Sequence, residues 1–267
     1  MIIVLKNADF SANNIGQIEV PIIWDADAKT FVDSLTGTIS DERKRKINTL
    51  FVQLKAQQVF YKITSLYLPI LGSSDGGKSI KGTSTITYPS ASTFESKGVR
   101  LSLGFRMPGF NRSNGSIGVY NSAPIDSNSG TLSASLSFNT VNVESSAGTN
   151  PGRSAGRAVL NAGASGGLTL GTPRITINGE LKSVGFVAVS TNSSLVKTLC
   201  LLSKTVGTGD FAFSTNESAS PIIGGLSIAT NYGIVQAPIG CIFMGEYLTS
   251  TELTALGDVM DSFMANF

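Results

Sequence analysis

The chain has 267 residues, enough for one large β domain and a smaller module. Charged side chains make up 14% of it, against about 25% in ordinary globular proteins. The net charge of +2 gives bulk electrostatics no hold on nucleic acid, and the absence of histidine excludes Ser-His-Asp and Cys-His catalysis.

Ile2-Ile-Val-Leu5 is a short strand-like run, too short for a signal peptide and without basic residues before it. Together with the lack of any ~20-residue apolar run, it predicts a product made in a cytoplasm and not inserted in a membrane. Ala26–Leu35 predicts a short helix with Phe31, Val32 and Leu35 on one side, stopped by Gly37. Asp25-x-Asp27 offers two carboxylates, too few oxygen ligands for a cation site. Thr38–Leu71 carries the strongest helical signal. Ser40 suits an N-cap, and Ile47, Leu50, Phe51 and Leu54 recur at three- and four-residue spacing. Val59–Leu68 continues or follows that helix, with Pro69 ending it. The basic run Arg43–Lys46 follows Asp41 and Glu42 and is expected to be a solvated helix face.

Residues 72–79 read Gly-Ser-Ser-Asp-Gly-Gly-Lys-Ser, a literal match to the phosphate-loop pattern. The pattern needs a helix after it, and here Gly82, a β-branched run and Pro89 follow. The string is therefore read as a Gly/Ser hinge, with Lys78 solvated.

Beyond it the period changes to two. Val99, Leu101, Leu103 and Phe105 alternate, as do Leu132, Ala134, Leu136 and Phe138. Arg174–Val184 around Asn178-Gly179 is a hairpin signature. Gly185–Ser190, Val196–Leu202, Phe211–Phe213, Ile222–Ile228 and Ile239–Phe243 are further strands. Cys200 and Cys241 lie in apolar runs and are expected as buried free thiols. Thr249-x-x-Glu252 is a capping box, followed by a stripe of Leu253, Leu256, Val259, Met260, Phe263 and Met264, with Asp258 and Asp261 on the wet face. The predicted fold is mainly β, an antiparallel jelly roll or β-sandwich preceded by a small helical module and closed by a C-terminal helix. The division is 1–71 for the helical assembly module, 72–82 for the hinge, 83–246 for the sandwich and 247–267 for the closing helix.

Three stretches carry a family resemblance. They are Met1-Ile-Ile-Val-Leu-Lys-Asn-Ala-Asp-Phe-Ser-Ala-Asn-Asn-Ile-Gly16, the block Leu50-Phe-Val-Gln-Leu-Lys55 with Tyr61–Pro69, and Gly245-Glu-Tyr-Leu-Thr-Ser-Thr-Glu-Leu-Thr-Ala-Leu256. Together they resemble virion proteins of phages and prophages of gut bacteria, crAss-like phages included. The resemblance implies a head- or tail-fibre protein in the virion, with a concanavalin A-like lectin/glucanase β domain. Its implied partners are further copies of the chain (dimer or trimer), other virion proteins and host-surface glycans. The alternative is a purely structural virion component.

Candidate sugar contacts are Tyr120, Asn121 and Tyr232, with core capping the ordinary alternative for Tyr120. Candidate assembly residues are Ile2, Val4, Phe10, Leu50, Phe51 and Leu54. A glycosidase needs two placed carboxyl groups, and Asp126, Glu144, Glu180, Asp210 and Glu217 do not fall in the Glu-x-Asp-x-x-Glu arrangement of jelly-roll glucanases. No catalytic residue, metal site or cofactor is assigned.

Overall fold

The structure, a computed structural model, describes residues 21–111, 114–123, 134–138, 158–161, 169–170, 184–192, 197–202, 205–209, 222–224 and 237–267. Its helices are α1 (Ala26–Asp33), α2 (Asp41–Ala56) and α3 (Ser250–Asn266). In chain order its strands are β1 (Ile63–Tyr67), β2 (Thr93–Glu95), β3 (Gly98–Arg100), β4 (Phe105–Arg106), β5 (Asn114–Asn121), β6 (Ala134–Phe138) and β7 (Ala158–Asn161). They continue with β8 (Thr169–Leu170), β9 (Gly185–Asn192), β10 (Lys197–Leu202), β11 (Thr205–Gly209), β12 (Ile222–Ile223) and β13 (Ile239–Gly245).

Among the described residues the strands form two sheets, every pair antiparallel. The larger runs β11-β10-β9-β5-β13-β3-β2, with β1 also paired to β13, and the smaller runs β4-β12-β6-β7-β8. This is the mainly-β sandwich expected from the alternating pattern. Central strands of the larger sheet are apolar on both faces, because both faces are covered. Ile117, Val119, Val187, Val189 and Ile242 pack with Ile223 of β12 at the seam between the sheets. Tyr120, Phe186, Ala188, Cys241 and Phe243 point the other way, into a core shared with all three helices. Three layers result: helices, larger sheet, smaller sheet.

A bulge breaks and resets the alternation in β13. Ile239 faces the seam and Cys241 the helices, and the register shifts between them. Gly240 sits at that shift, where a Cβ would run into Met264 Cε and Ser122 Oγ. A side chain at 240 would force the Met264 methyl and the Ser122 hydroxyl to move aside.

The helices start where their caps predict. Ser40 Oγ accepts from Arg43 N at 3.3 Å, and both hydrogen bonds of the Thr249/Glu252 capping box are made. Helix α2 does not continue into Val59–Leu68. Gln58 takes φ +59°, its N–H donates to Lys55 O at 2.9 Å, and Val59 N–H donates to Leu54 O at 3.1 Å. This is a Schellman stop with glutamine in the left-handed position, closed by buried Leu54 and Val59. After it comes one tight turn, Phe60–Lys62, and then β1, where β-branched Ile63 and Thr64 suit a strand. The segment assigned to a helical module thus contributes a strand to the main sheet.

Other strand expectations are met in part. The run Val99–Phe105 divides between β3 and β4 instead of forming one strand. Gly185–Ser190, Val196–Leu202 and Ile239–Phe243 correspond to β9, β10 and β13. The Asn178-Gly179 hairpin and Phe211–Phe213 lie outside the described residues. Cys241 is a buried free thiol as expected, with Sγ donating to Met260 Sδ at 3.5 Å.

A buried hydroxyl pair locks the sheet to the closing helix. Ser116 and Ser190 face each other across β5 and β9, both fully buried. Ser116 Oγ donates to Ser190 Oγ at 2.9 Å, and Ser190 Oγ donates to Leu248 O at 2.7 Å. Leu248 N–H, just before α3, donates to both oxygens at 3.0 and 2.8 Å. Either hydroxyl alone still accepts from that N–H, but losing both orphans it. Ser116→Ala and Ser190→Ala should each cost about 1 kcal/mol, and the pair should exceed their sum by about 1 kcal/mol or more. Urea unfolding of the double-mutant cycle measures this; strict additivity would show that the hydroxyls act independently.

Candidate functional site

The Gly72–Ser79 string is structural. Its backbone donors face carbonyls: Gly76 N–H donates to Gly72 O at 2.8 Å, Lys78 N–H to Asp75 O at 2.9 Å and Ser79 N–H to Ser84 O at 3.0 Å. A phosphate loop needs such N–H groups turned toward the ligand and a helix behind them, and the residues that follow form bridges, not a helix. The expected hinge is pinned. The Asp75 side chain is 3% exposed and accepts from Thr36 N (2.9 Å), Thr36 Oγ1 (3.0 Å), Gly37 N (2.8 Å) and Lys78 Nζ (2.8 Å). Lys78 Nζ also donates to Ser34 O at 2.8 Å, so it is a clasp between α1's end and the string, not a solvated residue. Burial pushes the Asp75 carboxyl up, but the hydrogen bonds from Lys78, Thr36 and Gly37 outweigh it and bring it to about 2. On the other side Tyr88 Oη donates to Gly76 O at 2.8 Å.

The Asp25-x-Asp27 pair has an equally plain role. Asp25 caps α1 through Asp27 N and Ala28 N, and the Lys55 ammonium bridges both carboxylates.

The candidate sugar contacts do not form a surface. Tyr120 is 5% exposed and Asn121 1%, because β5 is a central strand covered on both faces. Tyr120 reaches through the core to α3, where its hydroxyl donates to Asp261. Burial first, then the Asp261 charge and that hydrogen bond, raise the phenol to about 12. Asp261 is therefore half-buried and bonded to Tyr120 at the edge of the core, whereas Asp258 is exposed on the wet face as expected. Tyr232 lies outside the described residues. The assembly set divides the same way. Ile2, Val4 and Phe10 lie outside the described residues, whereas Leu50, Phe51 and Leu54 are fully buried in the chain's own helix–sheet core and cannot meet another copy.

What the fold does open is a cleft between α2 and α3, of about 310 Å³. Helix α2 supplies Glu42, Arg45, Lys46, Thr49, Leu50 and Gln53; α3 supplies Ser262, Phe263 and Asn266. Leu50 and Phe263 are buried and form the floor. Lys46 pairs with Glu42 on the rim. Beside the cleft, the Arg43 guanidinium lies 4.9 Å from the Phe267 ring centroid, and Phe267 packs on Phe263 at 5.0 Å. The Arg43–Lys46 run is thus only partly a solvated face, since it packs against the last turn of α3, whose exposed carbonyls favour cations. Sequence reasoning missed this cleft. The polar ladder Glu42-Arg45-Lys46-Thr49-Gln53 runs beside the apolar stripe of α2, and only the docking of α3, 190 or more residues away, turns it into a wall.

No protein-family model matches the sequence, and no curated protein matches it. Among solved structures, Trypanosoma rangeli sialidase in complex with 2,3-difluoro-KDN aligns at TM-score 0.57 and 10% identity, over 82% of this chain and 40% of that one. The carbohydrate-binding module CBM40 of Ruminococcus gnavus IT-sialidase, bound to α2,6 sialyllactose, aligns at TM-score 0.39 and 15% identity, over 58% of this chain and 96% of that one. The second likeness is too loose to bear on this chain. The first shows a fold shared with part of the trypanosome enzyme, of whose length this chain spans 40%.

Proposed function

We propose that this chain is an oligomeric fibre-type virion protein of a phage, acting in adhesion to host-surface glycans and not in their cleavage. The observation that supports adhesion is the antiparallel sandwich with its own sealed helical layer, a rigid platform on which multivalent display makes weak sugar contacts effective. The virion setting draws on the resemblance of the chain's ends and its central block.

Six of the described carboxylates are held ionised in structural ion pairs or hydrogen bonds and are not candidates for a glycosidase acid. At Asp41, Glu42 and Glu95 the hydrogen bonds from Lys44, Lys46 and Arg100 lower the carboxyl. At Asp25, Asp75 and Glu252 burial pushes upward, but donors led by Lys55, Lys78 and Lys62 outweigh it. A glycosidase acid needs the opposite, a carboxyl raised so that it keeps its proton. Asp126, Glu144, Glu180, Asp210 and Glu217 lie outside the described residues.

Purified protein should bind a discrete set of glycans on an array and bind host cells, and antibody against it should label intact particles. Silence on both array and cells would leave only the structural-component reading. Particles that take no label would sink the virion assignment.

A further inference from the structure

We propose that the outer edge of the larger sheet, residues 83–87, pairs antiparallel with the same edge of a second copy of this chain, each Thr85 joining Thr87 of the other copy across a twofold axis at Ile86. The choice of a second copy as the partner rests on the oligomeric reading above. The larger sheet does not end at β1. Tyr67 of β1 bridges to Ser79, and Ile80 N–H donates to Leu66 O at 2.7 Å. Lys78 in turn bridges to Thr85, with Ser79 N–H donating to Ser84 O at 3.0 Å and Ile86 N–H to Gly77 O at 2.9 Å on either side of the bridge. Among the described residues, 84–86 is the outermost chain on that side of the sheet.

Backbone groups along an antiparallel strand point alternately to its two sides. Ser84 and Ile86 turn theirs inward, toward Ser79 and Gly77, so Thr85 and Thr87 turn theirs outward. Both threonines are exposed, and among the described residues neither has a hydrogen-bond partner. Sheet edges are commonly blunted by charge or by proline. Here no charged side chain lies between Lys81 and Glu95, and the first proline is Pro89, beyond the outward groups. Thr83, Thr85, Ile86 and Thr87 are β-branched and suit a strand. Such an edge matches itself. A twofold axis at Ile86 sets Thr85 opposite Thr87 of the other copy, N–H to C=O in both directions. Ile86, half-buried against the core between the sheets, then meets its own twin at the closer, non-hydrogen-bonded pair position. With no charge on the edge, two identical copies meet without repulsion. The α2 stripe is buried in the chain's own core, so contacts between copies need a surface of this kind.

One short edge is smaller than a standard stable interface, so the full chain should dimerise with a dissociation constant of about 10–100 μM. Sedimentation from about 1 μM to about 1 mM should show the mass rising from one chain to two and no further, because a twofold contact closes. Over the same range, hydrogen exchange at the Thr85 and Thr87 amides should slow about five- to tenfold, while the Ile86 amide, paired within the chain, is protected throughout. At neutral pH, Thr85→Glu with Thr87→Glu sets like charges opposite each other and should weaken association about tenfold or more. Thr85→Glu with Thr87→Lys sets opposite charges there and should restore it. Thermal melts of the dilute proteins at the wild-type midpoint confirm that both variants are folded. If wild type associates while both amides exchange freely, or the Glu/Glu variant associates as well as wild type, the contact is elsewhere: this inference falls and the oligomeric reading stands. A Glu/Lys variant as weak as the Glu/Glu variant overturns the register, and growth beyond two chains overturns the twofold. Thr85 and Thr87 amides already protected in the dilute monomer mean that the chain covers its own edge, which overturns the inference as well. If wild type stays a monomer to about 1 mM with both amides free, the inference and the oligomeric reading fall together.

Discussion

Asp75→Ala should cost about 3–5 kcal/mol, a large share of the 5–15 kcal/mol by which folded proteins are stable. The carboxylate accepts four hydrogen bonds in a site where the side chain is 3% exposed. Alanine would strand the Thr36 and Gly37 N–H groups and leave the Lys78 ammonium facing a cavity. Asp75→Asn keeps the shape and one acceptor oxygen, and should cost about 1–3 kcal/mol. The pH dependence has a fixed sign. The folded carboxyl titrates at about 2, below its ordinary 3.8, so its contribution is complete above about pH 4 and is lost as pH falls through 2. The size of that shift corresponds to about 2 kcal/mol. Urea unfolding at neutral pH and at steps between pH 4 and 2 measures both effects. An alanine cost below 1 kcal/mol, or wild type and Asp75→Asn falling in parallel with acid, would show that the string is held by something other than this carboxylate.

That result bears on what could be read from the chain before its structure. Signals confined to a few neighbouring residues were legible. Ser40 and the Thr249/Glu252 box mark helix starts, and the stripes of α2 and α3 mark the faces that became core. The change of period near residue 83 marks the sandwich. Signals that depend on distant partners were not legible. Nothing near Gly72–Ser79 announces that Asp75 will meet Thr36 and Gly37, so the string looked like a hinge when it is a clasp. The stop after α2 was hidden because the left-handed position carries Gln58 where glycine is the usual marker. Tyr120 and Asn121 looked able to meet a sugar because the covering of both faces of β5 is a property of the whole sheet; for Tyr120 the core-capping alternative is the one that agrees with its burial. The cleft was hidden for the same reason, since each helix alone supplies only half its walls.

Phe51→Ala should cost about 3–5 kcal/mol and lower the melting midpoint by about 10 °C. Phe51 is fully buried, packed at a tilt between Phe31 at 6.1 Å and Phe60 at 5.6 Å. Phe60 is itself held by Lys55 and Lys81, whose ammonium groups lie 5.0 and 5.1 Å from its ring centroid. Removing the Phe51 ring opens a hole among α1, α2 and the turn before β1. The manner of the loss separates two roles for the stripe. If Phe51 stabilises the single chain, the drop in midpoint is the same at low and high protein concentration. If it sat between copies, the variant would dissociate first, and its midpoint would climb with concentration more steeply than that of wild type. The packing predicts the first outcome. Oligomer contacts then have to come from surfaces other than the Leu50, Phe51 and Leu54 stripe. Thermal melts at several concentrations, read beside light scattering of both proteins, decide it: a variant that keeps the wild-type mass but loses stability places the stripe inside the protomer, and one that falls to a smaller species at unchanged stability returns it to the interface.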